Sequence, residues 1–378
     1  MYLLLASIII IILAVAYYKL KYPFWSRQPV FHFHNLRYWL FPPGIIQHGK
    51  PEKDKFYDPK IYFNTFFQTP TEKKALVAHF IKANYSPHKS EKYMPPQDGV
   101  LNYFKAHNNK SYLSMMYNNN KLIASMTTRP LDCYIDDKKL PLYYVDFLCV
   151  HQKYRKKGNA PKIIYSHYVN SRYKHDNTVF LFKREGENTA IVPLTAYNNY
   201  YFDTFYWDKV VKFDQPNIRT ILITKQSFHY FVYVYERLMK CSTKKFECVI
   251  VPNLSHIELL VKNQQMFITV TLIDNEPFDC FIFHNTYTTY DGNNSIECIT
   301  SFKETDESVF ALGFMCSISL IYQQMKFTRL FIENISDNNV ILKKILERYS
   351  PIATLKASYY FYNFGYRPFL ASKVFILN

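Results

Sequence analysis

Glycine is scarce in this chain: 8 residues of 378, about 2%, against a usual share of about 7%. Glycine-rich repeat architectures are thereby excluded. Cysteine is present seven times, yet no two form a Cys-x-x-Cys pair and the number is odd. Zinc-ribbon and dithiol redox motifs have no support, and the pattern suits a reducing compartment where Cys acts as a small hydrophobe. Acid is in short supply: 30 Asp and Glu against 46 Lys and Arg leave a net charge of +16. Such a surplus favours an anionic partner, whether nucleic acid, an anionic membrane face or a phosphorylated ligand. The plainer reading is a solvated surface rich in Lys, because the charge is spread along most of the chain. With 48% hydrophobic and 20% charged residues, the chain is neither disordered nor collagen-like. At about 150 residues per domain, its length suggests two or three domains. The 18% aromatic content points to a biased genome more than to special chemistry.

Residues 2–18 contain no charge. At about 1.5 Å per residue, a helix over this run just spans a hydrocarbon core. Tyr17 and Tyr18 fall at an interface, followed by Lys19 and Lys21. Residues 1–21 therefore read as a transmembrane anchor, and the basic flank sets the remaining chain on the cytoplasmic side. The rival is a cleaved signal peptide, for which Ala14-Val15-Ala16 offers a cleavage site. Against it, no Lys or Arg precedes the run, and the cysteines are unpaired. A buried helix is the third reading.

Prolines and aromatics over residues 22–60 predict an irregular segment packed on a domain. A helix is expected over 70–84, with Thr71 as N-cap, then a polar loop from Ser86 to Asp98. Runs Ser111–Tyr117 and Lys121–Thr128, joined by Asn118, Asn119 and Asn120, predict a hairpin. Leu142–Val150 reads as one central strand, and Val179–Lys183 as another. In the second half, strands are expected near 247–251, 266–273 and 279–284, and helices near 309–325 and 338–348.

Between the two N-terminal strands lies Arg155-Lys156-Lys157-Gly158-Asn159-Ala160-Pro161. Gly158 permits a tight turn, Ala160 is small, and Pro161 suits the start of a helix. Freed backbone N–H groups at a helix N-terminus form an anion site, with Lys153, Arg155, Lys156 and Lys157 around it. The pattern resembles the coenzyme A pyrophosphate loop of the acetyltransferase superfamily.

The wider stretch Phe147-Leu148-Cys149-Val150-His151, with this loop and Ala160-Pro161, resembles the signature of glycylpeptide N-myristoyltransferases. Tyr22-Pro23-Phe24-Trp25 with Gln28-Pro29-Val30 resembles that family's N-terminal segment. Tyr359-Tyr360-Phe361-Tyr362-Asn363 and Ala371-Ser372-Lys373-Val374 resemble its last strands. The resemblance implies an α/β (mixed α+β) fold: two fused acyl-CoA N-acyltransferase halves around a saddle-shaped sheet, over 22–200 (acyl-CoA-binding) and 201–378 (peptide-binding), here preceded by the transmembrane helix. It implies transfer of a myristoyl chain from myristoyl-CoA to the N-terminal glycine amine of a peptide or protein, by a monomer that needs no metal and no nucleic acid. In this family the backbone N–H groups of Phe147 and Leu148 would form the oxyanion hole. Val150 and Arg155, Lys156, Lys157, Gly158, Asn159, Ala160 and Pro161 would hold coenzyme A, with Tyr22, Phe24 and Trp25 along its nucleotide end. The α-carboxylate of Asn378 would take the glycine ammonium proton, and Thr189 would meet the amine.

The chain departs from the family at several points. Gly158 is closer to the general superfamily loop. The peptide-contacting loop after Asn84-Tyr85 carries Lys89 and Lys92 where acids are usual. A Gly-rich turn is replaced by Ser350-Pro351-Ile352-Ala353. These departures keep alive a degenerate, membrane-anchored protein that binds acyl-CoA or lipidated peptide without turnover. A basic nucleic-acid binder is the third class, without any recognisable motif. Cys149 reads as a core residue, His32 and His34 as aromatic packing. Glu333 and Asp337 stand at helical spacing, and the role of Asp146 is open.

Overall fold

The computed structural model describes residues 2–41, 43–86, 91–96, 98–136, 138–176, 178–187 and 191–378. Thr189 and Lys89, both singled out in the sequence, lie outside these residues. A helix α1 spans Tyr2–Lys21. Its described apolar side chains from Ile9 to Leu13 are exposed, while Tyr18 is buried and its hydroxyl meets His32 Nδ1 at 3.1 Å. Among the described residues no helix is long and apolar enough to cross a membrane. The expected transmembrane span is therefore not carried by what is described, which leaves out side chains of the first turns of α1.

The chain then lays an irregular strap over the domain, as its prolines predict. Arg172, 1% exposed, fixes this strap by donating to the carbonyls of Gln47, His48 and Gly49. The first half continues with β1 (Tyr62–Thr65), α2 (Thr71–Asn84), β2 (Glu91–Tyr93), β3 (Tyr112–Asn118), β4 (Lys121–Ile135), β5 (Lys138–Val145), β6 (Cys149–Val150), α3 (Asn159–Lys174) and β7 (Phe180–Glu185). Helix α2 begins where expected, although Thr71 lies inside it and the cap position is Pro70. The β3–β4 hairpin turns at Asn119 and Asn120, both with positive φ (46° and 60°), which Asn tolerates better than other non-glycine residues. The expected loop over 86–98 contains β2, which pairs with a strand of the second half through Tyr93↔Thr288.

Strand β8 (Thr195–Asp203) leads into β9 (Ile218–Leu222), α4 (Phe228–Lys245), β10 (Cys248–Val251), α5 (Leu254–Lys262), β11 (Met266–Ile273), β12 (Glu276–Tyr290), β13 (Asn293–Phe302), α6 (Glu307–Gln324), β14 (Arg329–Glu333), α7 (Asn338–Ile345), β15 (Ala353–Tyr362) and β16 (Val374–Ile376). Glu333 and Asp337 thus do not share a helix: the first ends β14 and the second caps α7.

The sixteen strands named above join one sheet, whose long path runs β9-β11-β12-β13-β14-β8-β15-β7-β5-β4-β10-β16, while Gly44–Ile45 and Phe364–Gly365 pair apart from it. The same motif occurs twice. An antiparallel run leads to a strand, a helix crosses over, and the next strand pairs parallel: β5–α3–β7 and β13–α6–β14. A helical crossover is the usual way to join parallel neighbours. Helix α6 lies so close to the sheet that a Cβ on Gly313 would stand 2.6 Å from Thr271 Oγ1, so no larger residue fits there.

Candidate active site

The expected single strand over 142–150 is broken. Strand β4 pairs Thr128 with Val145 and Ser125 with Cys149. Two residues, Met126 and Thr127, therefore face three, Asp146, Phe147 and Leu148. The extra residue makes a bulge, which turns backbone groups out of the ladder. Phe147 packs into the core against Tyr85, Tyr93, Tyr103 and Phe104. Its N–H donates to Thr127 Oγ1 at 3.1 Å. Of the two expected oxyanion donors, only the Leu148 N–H has no partner among the described residues.

On the other side of β5 the sheet opens. Strands β5 and β7 pair only at Tyr143↔Phe180 and Tyr144↔Leu181, then part. A cavity of about 340 Å³ occupies the gap, walled by Trp25, Leu148, Ile164, His167, Phe182 and Lys183 among others. Its lining is largely apolar, as for a lipid-like ligand. Trp25 stacks on Phe182 and Phe182 on Tyr360. The structure thus places Trp25 on an apolar wall, Phe24 in the core beneath it, and Tyr22 against Tyr18. A wider groove of about 790 Å³ passes Lys74, Lys105 and Lys110; it shares no residue with the first and does not reach Leu148.

The basic loop has the geometry its sequence suggests. Gly158 adopts φ +75° and caps α3, which starts at Asn159 with Ala160 and Pro161 in its first turn. The first N–H groups of a helix have no intrahelical acceptor. Lys153, Lys156 and Lys157 are exposed around them. Arg155 differs: its guanidinium donates to the carbonyls of Val150 (2.9 Å) and Asn84 (2.8 Å), tying the loop to β6 and α2.

Asp146 is buried and both its oxygens accept from Nε of Arg129, itself 1% exposed. Burial pushes Asp146 up to about 6 while Arg129 pulls it down. His167 is fully buried between Ser114 Oγ (2.8 Å) and Thr128 Oγ1 (3.0 Å), and desolvation lowers it to about 3. It is a neutral side chain.

Sequence reasoning missed a charged cluster where the two halves of the sheet meet. Lys183 Nζ lies 2.5 Å from Glu333 Oε1 and 3.4 Å from Glu297 Oε1. Asn199 donates to Glu297 at 2.8 Å. Burial lowers the lysine, but the two carboxylates outweigh it and hold Lys183 well above its ordinary value. Burial, with Glu297 adding to it, pushes Glu333 up to about 8 against the pull of Lys183. Burial pushes Glu297 up too, but Lys183 and the neighbouring groups outweigh it and hold Glu297 below the usual range. Glu297, between Ile296 and Cys298, is a lone charge in a strand, and that is the signal the sequence offers; Lys183, followed by Arg184 and Glu185, carries no such mark.

The chain end is fixed nearby. Strand β16 runs parallel to β10, Leu377 N–H donates to the Ile250 carbonyl, and Asn378 is 7% exposed. Tyr359 donates to Asn378 Oδ1 at 3.5 Å, and the His284 ring is hydrogen-bonded to the Asn378 backbone. Among the described residues no cluster of three or more His, Cys, Asp or Glu could hold a metal ion.

Among curated proteins no sequence matches this chain. Solved structures match its fold. A Saccharomyces cerevisiae N-myristoyltransferase with bound myristoyl-CoA gives a TM-score of 0.70 at 14% identity, over 93% of this chain and 89% of that one. A second structure of that enzyme with myristoyl-CoA gives 0.70 at 15% identity, over 92% and 94%. A third, bound to myristoyl-CoA and inhibitors, gives 0.69 at 15%, over 92% and 91%. Residues 64–178 match the family model of the myristoyl-CoA:protein N-myristoyltransferase N-terminal domain. Those residues hold the strand break, the anion loop and α3.

Proposed function

We propose that this protein transfers a myristoyl or similar long acyl chain from acyl-CoA to the N-terminal glycine amine of a peptide or protein. The observation that carries this reading is the strand break at Asp146–Leu148, which lies in the segment that matches the family and opens on an apolar cavity. The acyl chain occupies the cavity. The coenzyme A phosphates sit at the N-terminus of α3, with Lys156 and Lys157 beside them. The thioester carbonyl lies at the Leu148 N–H. The α-carboxylate of Asn378 accepts a proton from the glycine ammonium, a role that demands a fixed and sheltered base. In this reading the chain divides into an anchor over 1–21 and two acyltransferase halves, 22–200 and 201–378, and works as a monomer.

The anchor and its sidedness belong to the same proposal. The exposed apolar face of α1 from Ile9 to Leu13, followed by Lys19 and Lys21, supports insertion with the transferase on the cytoplasmic side. Protease digestion of sealed membranes tests it: protection of the large domain inside the lumen refutes it.

One observation favours a second reading, binding without turnover: the Phe147 N–H is engaged by Thr127. The protein is incubated with myristoyl-CoA and glycine peptides, and acylated peptide is sought by mass spectrometry. Acylated product supports transfer. Bound myristoyl-CoA without product supports the second reading, and no binding overturns both.

A further inference from the structure

Lys183 stands in the gap between the parted strands. If the register of β5 and β7 continued from Tyr144↔Leu181, residue 183 would lie opposite residue 146. The strands have separated by then, and Lys183, Asp146 and Leu148 all line the same cavity. Asp146 is held by Arg129. The Lys183 ammonium is held by Glu333 on β14 and Glu297 on β13. A cationic side chain, fixed by two carboxylates, thus lines the apolar cavity that Leu148 also lines.

The oxyanion of an acyl transfer is normally met by two or more fixed donors. Here Thr127 engages one of the two backbone N–H groups, and the Leu148 N–H alone would be a weak hole. We infer that Lys183 is the second donor to the thioester carbonyl, its ammonium standing with the Leu148 N–H where negative charge develops. This rests on the transfer reading above. The substrate ammonium first gives one proton to the base. The amine lone pair then forms the C–N bond, and the carbonyl π pair moves onto oxygen, between Leu148 and Lys183. Collapse re-forms the carbonyl and breaks the C–S bond. The proton left over on nitrogen goes to the departing thiolate, giving amide and coenzyme A. Lys183 keeps its own protons throughout. The flanking carboxylates favour its charged form, which suits a donor and not a nucleophile.

Removing Lys183 alone strands the charge of Glu297 in the interior, so the informative comparison is Lys183→Met in a Glu297→Gln background against Glu297→Gln alone. The first measurement is the infrared carbonyl stretch of bound myristoyl-CoA labelled with carbon-13 at the thioester. Lys183 lowers that frequency in the reference protein, and its loss restores the value towards that of free thioester. The second is steady-state kinetics: kcat falls about 100-fold, the scale of losing one oxyanion donor, while KM for acyl-CoA changes only a few-fold. Lys183→Arg recovers part of both signals. Lys183→Gln, which removes the charge and shortens the side chain so that its amide falls short of the carbonyl, gives the same loss and serves if the double variant does not fold. An unchanged stretch and unchanged kcat in a variant that binds myristoyl-CoA overturn the inference. Failure of the parental protein to bind myristoyl-CoA overturns the transfer reading itself, and this inference with it.

Discussion

The indole of Trp25 lies flat against the ring of Phe182, centroids 5.5 Å and planes 16° apart. A segment far from β5 and β7 in sequence thereby closes the cavity wall beside Lys183. Trp25→Ala opens that wall, and burial of a large aromatic surface contributes a few kcal/mol. The expected result is a rise of about tenfold or more in KM for acyl-CoA, with kcat for bound substrate much less affected. Trp25 fluorescence should also respond to titration with myristoyl-CoA, and that response should vanish in Trp25→Phe.

The basic loop separates into two functions that binding and melting experiments distinguish. Lys156→Ala with Lys157→Ala removes exposed charge, so acyl-CoA binding weakens and its salt dependence flattens, while the melting temperature stays close to parental. Arg155→Ala removes two hydrogen bonds to the Val150 and Asn84 carbonyls. It should cost about 2 kcal/mol of stability before any phosphate is considered. Calorimetry with myristoyl-CoA, beside a denaturant titration, checks both.

Asp146 and Arg129 form a buried pair, and breaking it from one side leaves a charge without compensation. Asp146→Ala should destabilise by about 3–5 kcal/mol, whereas Asp146→Asn retains an acceptor for Nε and loses less. Urea midpoints of the two variants should differ in that order.

Two buried groups give opposite pH slopes. His167 is depressed to about 3, below its unfolded value near 6.5. The unfolded chain binds the extra proton, so stability is present above about 6.5 and is lost as pH falls from there towards 3. Asp146 is raised from 3.8 to about 6. The native state holds that proton more tightly, so its contribution is fully present below about 4 and is lost as pH rises through 6. His167→Gln should flatten the acid limb of a stability–pH curve, and Asp146→Asn the limb between 4 and 6.

The proposed base is tested by position. Asn378→Ala leaves the backbone carboxylate in place and should keep most activity. Deleting Leu377 and Asn378 moves it by about 3.3 Å per residue and removes the Leu377–Ile250 hydrogen bond. A single glycine added after Asn378 converts the carboxylate to an amide. Both changes should lower turnover by about 10²-fold or more, with acyl-CoA binding retained in a direct titration.

The local turns around the candidate site are legible in the sequence. Gly158 with Pro161 marked the left-handed cap and the start of α3, and Asn119-Asn120 marked the hairpin. Strand β11 was found at its observed limits. What escaped was set by register and by distant partners. Leu142–Val150 is uniformly apolar, so nothing local reveals the extra residue opposite Met126 and Thr127. Helix α4 is rich in Tyr, Phe and Val, which favour strands by propensity, and it becomes a helix by packing Phe231, Val234 and Leu238 on the core. Lys183 meets Glu333 across 150 residues, a separation no spacing rule spans. Trp25 was expected at the nucleotide end, and only the strand separation shows it on the cavity.

Strand β15 lies between β7 and β8, pairing Tyr360 with Phe182 on one side and Ala357 with Tyr197 on the other. Both neighbours are made long before it during synthesis. Until residues 353–362 leave the ribosome, β7 and β8 face each other across an empty lane with their edges unsatisfied, and the wall of Phe182 and Trp25 has no Tyr360 behind it. Closure of the cavity is therefore a late event of translation. A chain whose synthesis stops before residue 353 carries exposed strand edges, a form suited to capture by chaperones.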